Sequence, residues 1–481
     1  MTTPPTHYHT ISIGSGEAGK YICWTLSSTL NLRTAVIEHK YLGGSCPNIA
    51  CLPSKNFIHS AQITHSARQN VGTGLLKLAK GGTGEVQVDM QAVRGRKREM
   101  VDGLLDMHRG VFEKSGAELV LGHARLVAVV GSRKVVELDP QDGSASKLLS
   151  ADNVILCLGS RAKFDSGIEG LEAARPLTHI EILELDCVPR HLVILGGGYV
   201  GMEFAQAFRR FGSKVSVVEK GERILKAEDE DVSEALVEIM KDEGVEFFTD
   251  TQVHAVKGVS GKDVTLSASI KGQAVEINGS HLLVASGRLP NTKDTGLENV
   301  GVKLTPTGHV KVDEYLQTDI PGVFAVGDCA GSPHFTHIGF DDFRIVRDLL
   351  LNKGSQRSTK GRQVPYTLYT DPELAHVGLS ERVAKTAGIQ YRLSKLPMAA
   401  FLRTRTMGAT RGFAKALVSA TDDTILGFTA LGPRAGEMLP VVQLAMTSGL
   451  PYTSIADLIV THPTMNEGLV SLFGSVPPRA A

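Results

Sequence analysis

A chain of 481 residues with 42% hydrophobic side chains can bury sizeable cores and is long enough for about three domains. Its 51 basic and 51 acidic residues cancel, which excludes the one-signed field that draws nucleic-acid and anionic-membrane binders to their partners. Apolar runs such as Ile11–Ile13 and Leu192–Leu195 are strand-length, far short of the roughly 20 residues of a membrane span.

The segment Met1–Thr10 lacks the basic and apolar regions of a signal peptide and the Arg-rich character of a transit peptide, so a cytoplasmic protein is expected. Thr10–Ile13 reads as a buried strand and runs into Gly14-Ser15-Gly16-Glu17-Ala18-Gly19, followed by a helical stretch. Thr34–Ile37 is a second strand, ending in Glu38. Strand, glycine turn, helix, strand and terminal acid together make a dinucleotide fingerprint. The glycines let backbone N–H groups approach a pyrophosphate, the helix N-terminus stabilises its charge, and Glu38 can accept from ribose hydroxyls.

Two cysteines then appear five positions apart, in Gly43-Gly44-Ser45-Cys46-Pro47-Asn48-Ile49-Ala50-Cys51-Leu52-Pro53-Ser54-Lys55. A thiol pair beside a bound cofactor suggests electrons moving between sulfur and that cofactor. Two structural thiols, or half of a metal site, are the alternatives, and no second ligand cluster follows to support a metal. Where a loop enters a helix, the N-terminus favours thiolate. Five positions on an ideal helix separate two side chains by about 140°, so a bond between these sulfurs needs distorted backbone, with which Pro47 and Pro53 are consistent. Cys23, Cys157, Cys187 and Cys329 are scattered and read as reduced structural residues.

Further on, Leu76–Gln87 reads as a polar loop and Arg94–Glu99 as a solvated, charge-rich helix face. The dinucleotide pattern then recurs. His191–Leu195 leads into Gly196-Gly197-Gly198-Tyr199-Val200-Gly201 and a helix through Glu203, and Lys214–Val218 is the next strand, ending in Glu219. An acid there bonds a 2′-hydroxyl and repels a 2′-phosphate, favouring NADH. Lys220, Arg223 and Lys226 oppose that reading, since a basic cluster can hold the phosphate of NADPH. Two Rossmann units suggest one flavin and one nicotinamide dinucleotide.

These motifs, with Ala285-Ser286-Gly287-Arg288-Leu289-Pro290-Asn291, Val323-Phe324-Ala325-Val326-Gly327-Asp328 and His462-Pro463-Thr464-Met465-Asn466-Glu467, resemble the pyridine nucleotide-disulfide oxidoreductase family over essentially the whole chain. The resemblance implies an α/β fold with two Rossmann-type domains, for FAD and NAD(P)H, and a C-terminal α+β dimerisation domain. The implied boundaries are 1–159 and 285–355 for the FAD domain, 160–284 for the NAD(P)H domain and 363–481 for the dimerisation domain, with Lys360-Gly361-Arg362 as linker. Gly14, Gly16, Gly19, Glu38, Gly44, Ser45, Lys55, Ala124, Gly159, Arg288, Gly327 and Asp328 are implied at FAD. Gly196, Gly198, Tyr199, Gly201, Glu203, Glu219, Val253 and Gly287 are implied at NADH or NADPH. No resident metal is implied.

The same resemblance implies the chemistry. Hydride passes to the flavin, which reduces a Cys46–Cys51 disulfide through Cys51, and Cys46 attacks the substrate. Lys55 and Glu203 pair near the flavin, and Tyr199 is either a lid or a packed aromatic. His462, oriented by Glu467, moves the proton, and in the family it serves the disulfide of the other copy of a homodimer. Phe335–His337 with Asp341–Asp348, and Gly449–Ile455, place the chain nearest the reactive-chlorine-resistance, copper-reducing flavoproteins of that family. Pro47 and Ala50 depart from the family's usual aliphatic residue and glycine, and no cysteine pair lies near the C-terminus as mercuric reductases need. A small disulfide, a quinone or a metal ion such as Cu(II) is therefore the expected acceptor. Dihydrolipoamide dehydrogenase is the alternative, and a non-catalytic redox sensor or scaffold is the alternative of another class.

Overall fold

A computed structural model describes residues 5–77, 86–351 and 357–479. Most of the expected loop at 76–87 falls on positions 78–85, outside the described residues. Two compact units emerge.

The first unit gathers the chain up to Phe57, Gln91–Lys163 and Gly287–Arg362. Strand β1 (Thr6–Ile13) begins four residues before the expected start at Thr10, because Thr6, His7 and Tyr8 also find partners along the neighbouring strand. Helix α1 (Glu17–Leu30) and β2 (Thr34–Glu38) complete the first crossover, with β2 parallel to β1. Helix α2 (Ser45–Asn48), the start of α3 (Cys51–Gly72) as far as Phe57, and α4 (Met90–Ser115) from Gln91 follow. Arg94–Glu99 lies on α4, mostly exposed, but Lys97 is buried, so the stretch is not wholly a solvated face. β3 (Glu118–Val130) runs parallel to β2, and β4 (Arg133–Pro140) and β5 (Lys147–Leu156) return antiparallel, which brings β5 beside β1 in parallel. β6 (Ser160–Ala162) pairs with β14 (Arg288–Pro290), and β15 (Val323–Ala325) adds to the sheet against β5. Helix α7 (Thr336–Leu350) packs on α1 through Ile22, Leu26, Phe343 and Val346. The expected linker is partly anchored: Arg362 Nη1 lies 2.6 Å from the fully buried Asp342 carboxylate.

The second unit holds Ile58–Met90, Phe164–Ser286 and the chain from Gln363. β7 (His191–Leu195), α5 (Tyr199–Phe211), β8 (Lys214–Val218), α6 (Glu230–Asp242) and β9 (Val245–Phe248) wind a parallel sheet closed by β13 (His281–Val284). β10 (Thr251–Val259), β11 (Asp263–Ile270) and β12 (Gln273–Gly279) form an antiparallel meander. The C-terminal part is an antiparallel sheet in the order β16-β17-β20-β19-β18, made of β16 (Tyr366–Leu368), β17 (Glu373–Gly378), β18 (Tyr391–Pro397), β19 (Phe413–Ser419) and β20 (Ile425–Gly432). Short α8 (Glu381–Thr386), α9 (Leu402–Met407) and α11 (Thr453–Ala456) connect it, while α10 (Ala435–Thr447) and α12 (Glu467–Gly474) supply Met438, Val442, Leu469 and Phe473 to its core. Among the described residues no helix is long and apolar enough to cross a membrane.

Lys415 on β19 is fully buried in this unit, with Nζ 2.8 Å from Asp229, 2.8 Å from Asp231 and 3.0 Å from Glu381. The three carboxylates have the spacing of a metal site, but the ammonium stands among them. Burial works against their ionisation, and cations outweigh it, Lys415 for Asp229 and Glu381 and Lys395 together with Lys415 for Asp231, so all three titrate below the usual carboxylate range. A depressed folded pKa stabilises the fold above the unfolded value of about 4, and that stability is lost as pH falls through the folded pKa. Lys415→Met leaves the buried Asp229 without its cation, while Asp231 keeps Lys395 and Glu381 keeps Lys385, and is expected to cost about 3–5 kcal/mol at neutral pH. Thermal melts check this: the gap to wild type should narrow on acidification, as the orphaned carboxylate takes up a proton.

Candidate active site

In the first unit, β1 ends at a turn that only glycine fits. Gly14 has φ +100°, and a Cβ there would lie 2.1 Å from the carbonyl oxygen of Cys157, just past the end of β5. Gly16 caps α1 without a side chain, and Gly19 lies in its first turn, whose N–H groups lack intrahelical acceptors. Glu38 is buried at the end of β2. One of its carboxylate oxygens accepts from Ser15 N (3.0 Å) and Oγ (2.7 Å), and the other from Lys40 N (2.8 Å) and Tyr41 N (3.1 Å). The acid thus fixes the glycine turn with bonds from the chain's own donors.

The cysteine loop lies against this turn: a Cβ on Gly44 would meet Gly16 Cα at 2.7 Å. Ser45 and Cys46 sit in α2, Ile49 at φ −139° breaks the helix, and Cys51 opens α3. The backbone break expected from the cysteine spacing is present. Asn48 braces the loop by donating to the Leu42 and Gly44 carbonyls, each at 2.8 Å. Both cysteines are thiols and half-buried. The Cys51 Sγ lies 3.2 Å from Thr336 Oγ1, at the first turn of α7. Contrary to the expectation of thiols lowered by a helix terminus, the Cys46 thiol is pushed up, first by its hydrogen bond with Cys51, then by burial and by charge on Cys51. Two sulfurs sharing one proton resist giving up the second.

Lys55 is half-buried, one turn along α3 from Cys51. Ala124 lies buried on β3, opposite Leu138. Gly159 and Gly327 each have open space where a Cβ would stand, room that a ligand can use. Arg288 and Asp328 are joined through Ser160: Arg288 Nε donates to Ser160 Oγ at 2.7 Å, and Ser160 Oγ donates to Asp328. Asp342 accepts from Gly327 N at 2.8 Å and from Ser332 Oγ at 2.8 Å. Ser160 was not singled out from sequence, and Thr336 and Asp342 entered there only within the segments Phe335–His337 and Asp341–Asp348, without a role of their own. The available signal for Asp342 was an acid in the apolar stripe of α7, between Ile338 and Ile345.

In the second unit the same turn recurs between β7 and α5. A Cβ on Gly201 would stand 2.1 Å from the Gly196 carbonyl oxygen, whereas Gly198, the cap of α5, has nothing within 4 Å of that position. Glu219 follows β8 and accepts from Gly197 N at 2.7 Å and Gly221 N at 2.8 Å. Lys220 and Lys226 are exposed, while Arg223 Nη2 donates to the Glu228 carbonyl at 3.2 Å. Tyr199 is tied down: its hydroxyl donates to Glu228 at 2.5 Å, Tyr366 donates to the same oxygen at 2.7 Å, and the rings lie 5.5 Å apart. Burial and the Glu228 charge push both phenols up. Glu203 is buried on α5 and accepts from Tyr369 N at 2.9 Å. Val253 is buried on β10, opposite Ala268. Gly287, which belongs to the first unit, has φ +126° with open space around it.

His462 precedes a cis bond to Pro463 and has a side chain 61% exposed. Both oxygens of Glu467, the first residue of α12, lie within 3.0 Å of its Nδ1. An imidazole whose Nδ1–H is held by a carboxylate presents Nε2 as base. Thr464 completes the turn, donating to the Thr461 carbonyl at 2.9 Å.

Residues 8–342 match the family model described as pyridine nucleotide-disulphide oxidoreductase, and 364–473 match that family's dimerisation domain. The chain is 31% identical to the probable pyridine nucleotide-disulfide oxidoreductase RclA of Escherichia coli, over 98% of this chain and 99% of that one. It is 30% identical to dihydrolipoyl dehydrogenase of Geobacillus stearothermophilus, over 95% and 94% of the two chains. A solved Cu(II) complex of the HOCl-induced flavoprotein disulfide reductase RclA from Escherichia coli superposes with TM-score 0.85 at 31% identity, covering 97% of this chain and all of that one.

Proposed function

The chain belongs to the pyridine nucleotide-disulfide oxidoreductase family, and from that premise we propose that it passes electrons from NAD(P)H, through flavin and the Cys46–Cys51 pair, to a small acceptor such as Cu(II). It is an NAD(P)H-dependent oxidoreductase with FAD as its flavin. When bound, FAD takes a hydride's electron pair and releases it to sulfur. The residues fit a dinucleotide in each unit: a helix N-terminus opened by glycine, with open space at Gly159 and Gly327 in the first unit and at Gly198 in the second. In this reading Gly14, Gly16, Gly19 and Gly44 admit the FAD pyrophosphate and Asp328 holds its polyol. Gly196, Gly198, Gly201 and Glu219 seat the nicotinamide nucleotide. The domain boundaries are those the motifs imply, and the protein is a cytoplasmic homodimer through its C-terminal domain.

The observation that carries the reading is the thiol pair itself. Two reduced sulfurs share a hydrogen bond, one of them opening a 22-residue helix, on a loop seated against the first glycine turn. Electrons balance with either acceptor class. A disulfide takes two electrons and two protons as the Cys46–Cys51 bond re-forms. Two Cu(II) ions take one electron each, and the thiols release their protons.

The metal reading draws support from the Cu(II) complex of the similar flavoprotein, and from Pro47 and Ala50, which reshape the loop between the sulfurs. Steady-state turnover of one preparation with Cu(II), Hg(II), lipoamide, glutathione disulfide and a quinone, with both nicotinamides, tests it. Cu(II) should be reduced faster than lipoamide. Rapid lipoamide turnover with little metal reduction would make the protein a dihydrolipoamide dehydrogenase instead, the reading favoured by the relative from Geobacillus stearothermophilus.

A further inference from the structure

Thr336 is absent from every motif that the cofactors and the proton relay account for, yet its hydroxyl touches the reactive sulfur. Its Oγ1 lies 3.2 Å from Cys51 Sγ. Thr336 opens α7, whose packing on α1 through Phe343 and Val346, and through Phe340 against Tyr21 (5.0 Å between rings), fixes where that hydroxyl stands. α1 in turn starts at the glycine turn on which the cysteine loop rests. The hydroxyl is therefore held by the same framework as the thiols. We propose that Thr336 is the hydrogen-bond donor that stabilises the thiolate of the reduced Cys46–Cys51 pair, and so sets both the acidity and the reduction potential of the pair. The inference rests on the redox role of that pair.

The chemistry follows from counting protons. Reduction of the disulfide by two electrons and one proton leaves one thiol and one thiolate. The thiol proton satisfies one hydrogen bond between the sulfurs. A hydroxyl carries one more proton and keeps it, so Thr336 supplies a second donor to the anion without any transfer. The same hydroxyl also favours ionisation of Cys46, opposing the rise that its partner sulfur and burial impose. Valine has the same shape and no proton to give. The elements that carry these residues also bear other titratable groups, among them Glu17, Lys20 and Tyr21 on α1, Lys55, His59 and His65 on α3, and His337, Asp341, Asp342 and Asp348 on α7, and Glu17 disfavours ionisation of Cys46. None of them changes in a Thr336 variant.

The test compares wild type with Thr336→Val, Thr336→Ala and Thr336→Ser holoenzymes. One readout is the pH midpoint of the long-wavelength absorbance of thiolate against flavin in the two-electron-reduced protein. The other is the disulfide's equilibrium with a reference dithiol, scored by alkylation of the thiols. A hydrogen bond to a charged acceptor is a tenfold effect in order of magnitude. Thr336→Val should raise the pH midpoint by about one unit and make the disulfide about tenfold harder to reduce, about 30 mV lower in potential. Thr336→Ala should follow it, and Thr336→Ser should restore most of the wild-type value. Alkylation needs no flavin, so a variant that loses FAD is still scored. If valine and alanine leave both readouts where wild type has them, Thr336 has no such role. If wild type itself shows no thiolate absorbance and takes up only the flavin's electron pair, the redox role of the cysteines falls as well.

Discussion

Cys51→Ser is expected to bind FAD as wild type does, yet to lose turnover with every acceptor by at least about 10³-fold, the scale on which removal of a reacting nucleophile acts. Serine nearly matches cysteine in size, and the helix start at position 51 does not depend on sulfur, so the fold should tolerate it. What disappears is the ability to form and break a disulfide. Anaerobic titration with NADH should then take up the flavin's electron pair and no more, where wild type takes up more, and the long-wavelength thiolate absorbance should be missing. Cys46→Ser makes the contrasting case. It removes the sulfur that would meet the acceptor and frees Cys51 from the hydrogen bond that the two now share. Its turnover should fall as far, while the thiolate absorbance survives and is present even before reduction. If Cys51→Ser keeps wild-type electron uptake, the electrons never rest on this pair.

The two cysteine variants are distinguishable because their surroundings differ. Cys51 opens α3 and meets the Thr336 hydroxyl, whereas Cys46 lies within the single turn of α2. The sequence shows the five-residue spacing and the prolines, and from them the need for a backbone break between the thiols. It does not show that a donor reaches the pair from elsewhere in the chain. Thr336 is 285 residues away along the chain from Cys51, and only the packing of α7 on α1 brings them together.

The same division runs through the rest of the molecule. Both dinucleotide turns are legible because strand, glycines, helix and acid follow one another locally, and because a Cβ at Gly14 or Gly201 has nowhere to go. What escapes a sequence reading is long-range polar pairing. Ser160 links Arg288 to Asp328 across a two-stranded ribbon, Glu228 holds Tyr199 and Tyr366 together, and Lys415 gathers carboxylates from α6, its cap and α8. Each partner alone is an unremarkable polar residue. Glu38 and Glu219 are a milder case. Their positions at strand ends are apparent from the sequence, but in the structure they bond the backbone of their own turns, a fastening role added to any contact with ribose.

His462→Gln is expected to leave reduction by NADH intact and to slow the transfer to a disulfide acceptor by about 10²–10⁴-fold, the usual range for loss of a general acid–base. In the role that the family resemblance implies for His462, two proton movements would depend on it. The Cys46 thiol is pushed up by Cys51 and by burial, so at neutral pH it needs a base to become the attacking thiolate. When the acceptor's disulfide opens, the leaving sulfur needs that proton back. Glu467 prepares the ring for both: with its oxygens within 3.0 Å of Nδ1, it holds that nitrogen protonated and leaves Nε2 to exchange protons. Glu467→Gln keeps a hydrogen-bonding group in place but loses the carboxylate that holds Nδ1 with both oxygens. It should cost less than His462→Gln, about tenfold to a hundredfold. Stopped-flow separates the half-reactions, and the defect must appear only after the pair is reduced. With Cu(II) no sulfur leaves, so only the base half of the task remains, and the same variant should lose less activity with the metal than with a disulfide. Equal losses for both acceptors would mean that His462 acts on Cys46 alone, and unchanged turnover with a disulfide would remove the dyad from the chemistry.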